Sequence, residues 1–158
     1  MARVDSLTQG FLAQYRIAIV GVSRTRDNAA NNIYRQLSQK SHRVFAVNPK
    51  IETFDGDPGY SDLKSLPENV AGVMIVTCPA VSKHIVQHCI ELGIRRVWMH
   101  DMRGTRLRIT CAAGDKLTSV SAEAVHLYRD NGFAVIPGAC PLQFIGDSAK
   151  PACAGHYD

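Results

Sequence analysis

Five short apolar runs punctuate the chain: RIAIVG (16–21), HRVFAVN (42–48), AGVMIVT (71–77), RRVWMH (95–100) and FAVIPG (133–138). Their interiors carry almost no charge, the pattern of strands buried on both faces. Between the first two runs, Ala30, Ile33, Tyr34 and Leu37 recur at i, i+3, i+4 and i+7. That spacing predicts an amphipathic helix near 29–40. A second helix is expected after Pro79, with Val81, Ile85, Val86, Cys89 and Ile90 inward and Gly93 as its C′ residue. A third runs from about Ser121 to Asn131 and stops at Gly132. Its Glu123 falls in the first turn, where the helix dipole favours a negative charge.

Strands alternating with helices imply an α/β fold with right-handed crossovers. The expected architecture is a Rossmann-like domain, a five-stranded, mainly parallel sheet with helices on both faces. Residues 1–158 read as that single domain, with 1–14 an N-terminal lead-in and 147–158 a C-terminal tail. Two segments break the rhythm. The stretch 49–70 holds three prolines and three Asp residues, so it is expected to be loop with at most one short helical turn. The stretch 101–118 reads either as a long loop or as a short hairpin through RLRIT.

Composition narrows the class. Of 158 residues, 46% are hydrophobic and 20% charged, as in a soluble globular protein. No apolar run is long enough to cross a bilayer, and the N-terminus lacks the apolar centre of a signal peptide, so a cytoplasmic protein is expected. The formal charge is +4, and the basic residues are scattered without interleaved aromatics. A nucleic-acid partner is not expected, whereas a small polyanionic ligand suits such a distribution. The five cysteines, at 78, 89, 111, 140 and 153, are odd in number and show no C-x-x-C, so free thiols are expected rather than a disulfide framework.

In open α/β sheets, ligands bind at the carboxyl ends of the strands, where the strand order reverses. Function is therefore to be read just after Val20, Val47, Val76 and Met99. The first of these turns is Gly21-Val22-Ser23-Arg24. Gly21 permits a tight turn, and the helix that follows offers unpaired N–H groups to an anion. Ser23 stands where the dinucleotide fingerprint would place a second glycine, and its hydroxyl can donate to a phosphate oxygen. Arg24 and Arg26 add positive charge. A plain strand-to-helix turn without a ligand is the alternative.

The second strand end is Val47-Asn48-Pro49-Lys50. NAD-binding domains carry a carboxylate here for the adenosine ribose, and this chain has none. Lys50 would instead attract a phosphorylated ribose, that of NADP or of coenzyme A, unless it is simply a solvated loop lysine. The third strand ends in Thr77-Cys78-Pro79. Pro79 suits the first position of a helix, which makes Cys78 or Thr77 the cap. A thiol at that position has a stabilised thiolate and can be reactive, although a cysteine there can equally be a small packed side chain.

Taken in order, Gly21-x-Ser23, Val47-Asn48-Pro49-Lys50, VTCPA, VWMH and the closing Gly-x-Cys-Pro-x-x-Phe resemble the small coenzyme A-binding proteins. These are related in fold to the CoA-binding domain of the succinyl-CoA synthetase α subunit. The resemblance covers roughly residues 12–146. It implies a coenzyme A site with Gly21, Val22, Ser23 and Arg24 around the diphosphate and Asn48, Pro49 and Lys50 beside the adenosine 3′-phosphate. Thr77, Cys78 and Pro79 would line the cleft. The chain departs from the family in 101–118, where Gly104 is followed by a basic, cysteine-containing stretch.

Other constellations carry less. His84 and His88 have the spacing of a zinc-protease helix, but Ile85 replaces the catalytic glutamate, so a solvated face is expected. Cys140, Cys153 and His156 are too few for a structural metal site. FDGDPGY lacks the bidentate Glu of a calcium loop. No nucleophile with a base and an orienting group is evident, and no metal or catalytic residue is expected. The expectation is a binder of coenzyme A or an acyl-CoA acting as a carrier, sensor or regulatory module. An NADP-dependent oxidoreductase or dinucleotide-sensing domain is one alternative, and a protein-interaction module with an inactive cleft is another. A homo-oligomer or an enzyme partner is left open.

Overall fold

The structure is a computed structural model that describes residues 2–24, 29–40, 42–101, 118–138 and 141. In chain order its elements begin with α1 (Ala2–Leu12), β1 (Arg16–Val20), α2 (Ala29–Gln39) and β2 (Arg43–Val47). A hairpin of β3 (Thr53–Phe54) and β4 (Asp57–Tyr60) follows, then a 3₁₀ turn at Leu63–Ser65 and β5 (Gly72–Ile75). The chain continues through α3 (Pro79–Glu91), β6 (Arg96–Met99), α4 (Ala122–Asp130) and β7 (Ala134–Pro137). The five apolar runs thus become β1, β2, β5, β6 and β7.

The sheet has seven strands in the order β3-β4-β2-β1-β5-β6-β7, not the five expected. All neighbours are parallel except β3 and β4. The two extra strands arise within 49–70. There Asp55 (φ 48°) and Gly56 (φ 83°) both adopt left-handed backbone, the conformation of a two-residue hairpin turn. The Gly59 N–H donates to the Glu52 carbonyl at 2.8 Å, and Gly59 and Tyr60 then pair with Ala46 and Val47. The single helical turn expected in this segment is present at Leu63–Ser65, capped by Asp62, whose Oδ1 accepts from the Ser65 N–H at 2.8 Å.

Alternation along the strands builds two cores. Ile17, Ile19, Ala46, Met74, Trp98 and Ile136 face one side and meet Phe11 of α1 and Ala30, Ile33, Tyr34 and Leu37 of α2. Ala18, Val20, Phe45, Val47, Ile75, Val97 and Met99 face the other and meet Val86 and Cys89 of α3 and Ala124 and Tyr128 of α4. Helices therefore cover both faces. The sheet is α/β and mostly parallel, as expected.

Two local corrections follow. The lead-in 1–14 contains α1, docked through Phe11, whose ring meets Trp98 edge-on at 5.6 Å. In α3, Val81 is 44% exposed and Ser82 is buried in its place. The buried face runs through Ser82, Val86 and Cys89 because the Ser82 hydroxyl donates to the Cys78 carbonyl at 3.2 Å, which satisfies it inside the fold. Gly93 and Gly132 follow the ends of α3 and α4 with φ of 71° and 78°, as the helix-stop reading requires. Among the described residues no helix is long and apolar enough to cross a membrane.

Candidate functional site

β1 lies between β2 and β5, so the chain order reverses there and the carboxyl ends of these three strands meet. Gly21 ends β1 with φ 115° and donates its N–H to the Val47 carbonyl at 3.0 Å. A Cβ on Gly21 would lie 2.1 Å from the Val76 carbonyl oxygen. Only glycine lets the turn pass this close to the end of β5. The Val76 N–H in turn donates to the Val20 carbonyl at 2.9 Å.

The turn is held from two sides. On one side, Asn48 donates its side-chain amide to the Val22 carbonyl at 2.6 Å. Its Oδ1 accepts the Lys50 N–H at 2.8 Å, and its own N–H donates to the Tyr60 carbonyl at 2.9 Å. On the other side, Asn31 of α2 accepts the Ser23 N–H at 2.9 Å and donates to the Ser23 carbonyl at 2.8 Å. Val22 is buried, Ser23 half-buried, and Arg24, Pro49 and Lys50 are exposed.

The end of β5 forms a second polar cluster. The Thr77 N–H donates to Ser119 Oγ at 2.9 Å, and the Thr77 and Ser82 hydroxyls are 3.1 Å apart. Thr77, Cys78 and Pro79 are half-buried. Cys78 caps α3 through its backbone, without a side-chain cap bond, and Pro79 takes the first helical turn. Cys78 is disulfide-bonded. This corrects the expectation of a free thiol at Cys78, and its sulfur is no free thiolate. Spacing along a chain does not report which cysteines the loops bring together. Cys89 is free, but burial pushes its thiol up to about 12, so it stays protonated at neutral pH.

At the end of β6, His100 is fully buried. Its N–H donates to the Ile75 carbonyl at 2.9 Å, and its carbonyl accepts from the Ser119 N–H at 2.7 Å. Burial pulls the imidazole down to about 4, against the opposing pull of Asp101. Ser119 thus joins the ends of β5 and β6.

Electrostatically these strand ends suit an anion. Arg24 and Lys50 are exposed at the two loops, no carboxylate follows β2, and the first turn of α2 has no acidic residue to oppose its dipole. Among the described residues no group of three or more His, Cys, Asp or Glu is placed to hold a metal. His84 is exposed and His88 half-buried on α3. Arg26, the RLRIT segment, Cys140, Cys153 and His156 lie outside the described residues.

Asn31, Ser82 and Ser119 were not among the residues singled out from the sequence. Asn31 flanks the apolar stripe of α2 as a polar residue close to the turn, which is a faint signal. Ser119 gives none, since its partner Thr77 is 42 positions away.

Over 73 residues the chain is 33% identical to the ADP-forming acetate–CoA ligase I of Archaeoglobus fulgidus. That match takes in 46% of this chain and 11% of the ligase, so the chain corresponds to a small part of that enzyme. A hypothetical protein from Pyrococcus horikoshii OT3 has the same fold, with a TM-score of 0.73 and 20% identity over 89% of this chain and 87% of that one. The dinucleotide forming acetyl-coenzyme A synthetase 1 of Ca. Korarchaeum cryptofilum aligns with a TM-score of 0.52 and 21% identity, over 58% of this chain and 20% of the synthetase. The family described as CoA binding domain matches residues 15–154, and the chain belongs to that family.

Proposed function

We propose that this chain binds coenzyme A or an acyl-CoA at the ends of β1, β2 and β5, and acts as a carrier, sensor or regulatory module. The observation that carries the reading is the tie between Asn48 and the Val22 carbonyl, which joins the anion-suited turn after β1 to the carboxylate-free, lysine-bearing loop after β2. Gly21, Val22, Ser23 and Arg24 then face the diphosphate, helped by the N-terminal end of α2. Asn48 and Pro49 shape the second loop, and Lys50 meets the 3′-phosphate as a point charge. Thr77, Cys78 and Pro79 line the cleft wall. Family membership and the relatives named for coenzyme A chemistry support this ligand. The chain matches only 11% of the ligase, so the ligase activity is not carried over.

A thermal-shift titration tests the proposal. A ligand that binds only the folded chain, present at 100 times its Kd, stabilises it by about 2.7 kcal/mol. Coenzyme A or acetyl-CoA is expected to raise Tm, and NAD is not. A shift with NADP and none with coenzyme A would favour the dinucleotide reading and overturn this one.

A further inference from the structure

Asn31 is the least expected polar residue of the first core. It is 2% exposed, in the first turn of α2, among Ala29, Ala30 and Ile33. Its carboxamide reaches eight residues back along the chain and takes both the N–H and the C=O of Ser23, at 2.9 and 2.8 Å. A carboxamide can do this whatever the pH, since it presents a donor and an acceptor side by side as a peptide does.

Two consequences follow. The Ser23 N–H is committed to Asn31, so it is not one of the backbone donors a phosphate would meet, as it would be in a glycine-rich nucleotide turn. The peptide planes on both sides of Ser23 are also fixed, and with them the direction in which its Cβ and hydroxyl leave the backbone. Asn48 holds the same Val22–Ser23 peptide from its other edge, through the Val22 carbonyl.

We infer that Asn31 is the positioning residue of the diphosphate loop, setting the orientation of Ser23 without touching the ligand. This rests on the coenzyme A reading above. If it holds, Asn31→Ala weakens every diphosphate-bearing nucleotide by a common factor. Coenzyme A and dephospho-CoA lose affinity equally, by about tenfold or more, because two hydrogen bonds of ordinary strength are removed from the loop. The ratio of the two affinities, which reports the 3′-phosphate, stays at its wild-type value.

The test is calorimetric binding of coenzyme A and dephospho-CoA to the wild type, Asn31→Ala and Ile33→Val, with amide hydrogen exchange at Ser23. Ile33→Val trims the same helix and controls for general loosening. The expected result is loss of Ser23 protection and a common affinity loss in Asn31→Ala, with Ile33→Val close to wild type in both. Wild-type Ser23 exchange, wild-type affinity, a changed affinity ratio, or equal losses in the Ile33→Val control would each overturn the inference. A wild-type chain that binds neither nucleotide would overturn the coenzyme A reading and Asn31's role in it together. Coenzyme A binding by the wild type that persists undiminished in Asn31→Ala would overturn the role of Asn31 alone.

Discussion

The side-chain amide of Asn48 donates to the Val22 carbonyl at 2.6 Å, and this bond fastens the end of β2 to the turn after β1. The same side chain accepts the Lys50 N–H at 2.8 Å, so one residue orders both loops. Asn48→Ala removes both bonds and leaves two backbone groups to find water. A loss of about 1–2 kcal/mol in urea unfolding is expected, with weaker coenzyme A binding. Asn48→Asp keeps the acceptor for Lys50 but sets a carboxylate against the Val22 carbonyl. It is expected to bind coenzyme A less well than Asn48→Ala does.

Gly21 offers a sharper structural test. Its φ of 115° and the 2.1 Å approach of a notional Cβ to the Val76 carbonyl leave no room for alanine without moving backbone. Gly21→Ala is expected to cost about 3 kcal/mol or more and to displace the turn from the end of β5. Chemical denaturation measures the cost, and near-wild-type stability would show that the turn can pass elsewhere.

Much of the fold could be read from residue pattern alone, because buried parallel strands are nearly pure apolar runs. RIAIV of β1 and GVMI of β5 fall inside the runs that announced them. The stops at Gly93 and Gly132 were legible for an equally local reason. The hairpin was harder, since Thr53-Phe54 and Asp57–Tyr60 are short and only Phe54 among them is buried. Asp55-Gly56 was the one usable clue. α1 was hidden because its visible apolar contribution is little more than Leu7, Phe11 and Leu12. At the site, the strand-end loops were predictable from the fold class. The clasp of Asn31 on Ser23 and the link from Ser119 to Thr77 depend on which side chains the fold brings together, and no periodicity encodes that.

His100 predicts a pH effect. In the folded chain burial holds its imidazole at about 4, below the ordinary 6.5. The unfolded chain therefore binds the proton first as pH falls. The contribution of this residue is fully present above pH 6.5 and declines between about 6.5 and 4, by something on the order of 3 kcal/mol. Urea unfolding of the wild type and His100→Gln at pH 7.5, 5.5 and 4 is the check. The stability gap between them is expected to narrow as pH falls, and a constant gap would mean that His100 does not titrate differently in the two states.

The proposed ligand is a 3′-phosphorylated adenosine diphosphate, held where the ends of β1, β2 and β5 meet. Calorimetric titration of the wild type and Lys50→Ala with coenzyme A and dephospho-CoA tests it most directly. The wild type is expected to bind coenzyme A more tightly than dephospho-CoA. In Lys50→Ala that preference is expected to shrink about tenfold, the scale of one charge-assisted contact, while dephospho-CoA binding is little changed. No binding of coenzyme A to the wild type, or equal losses for both ligands in Lys50→Ala, would contradict it.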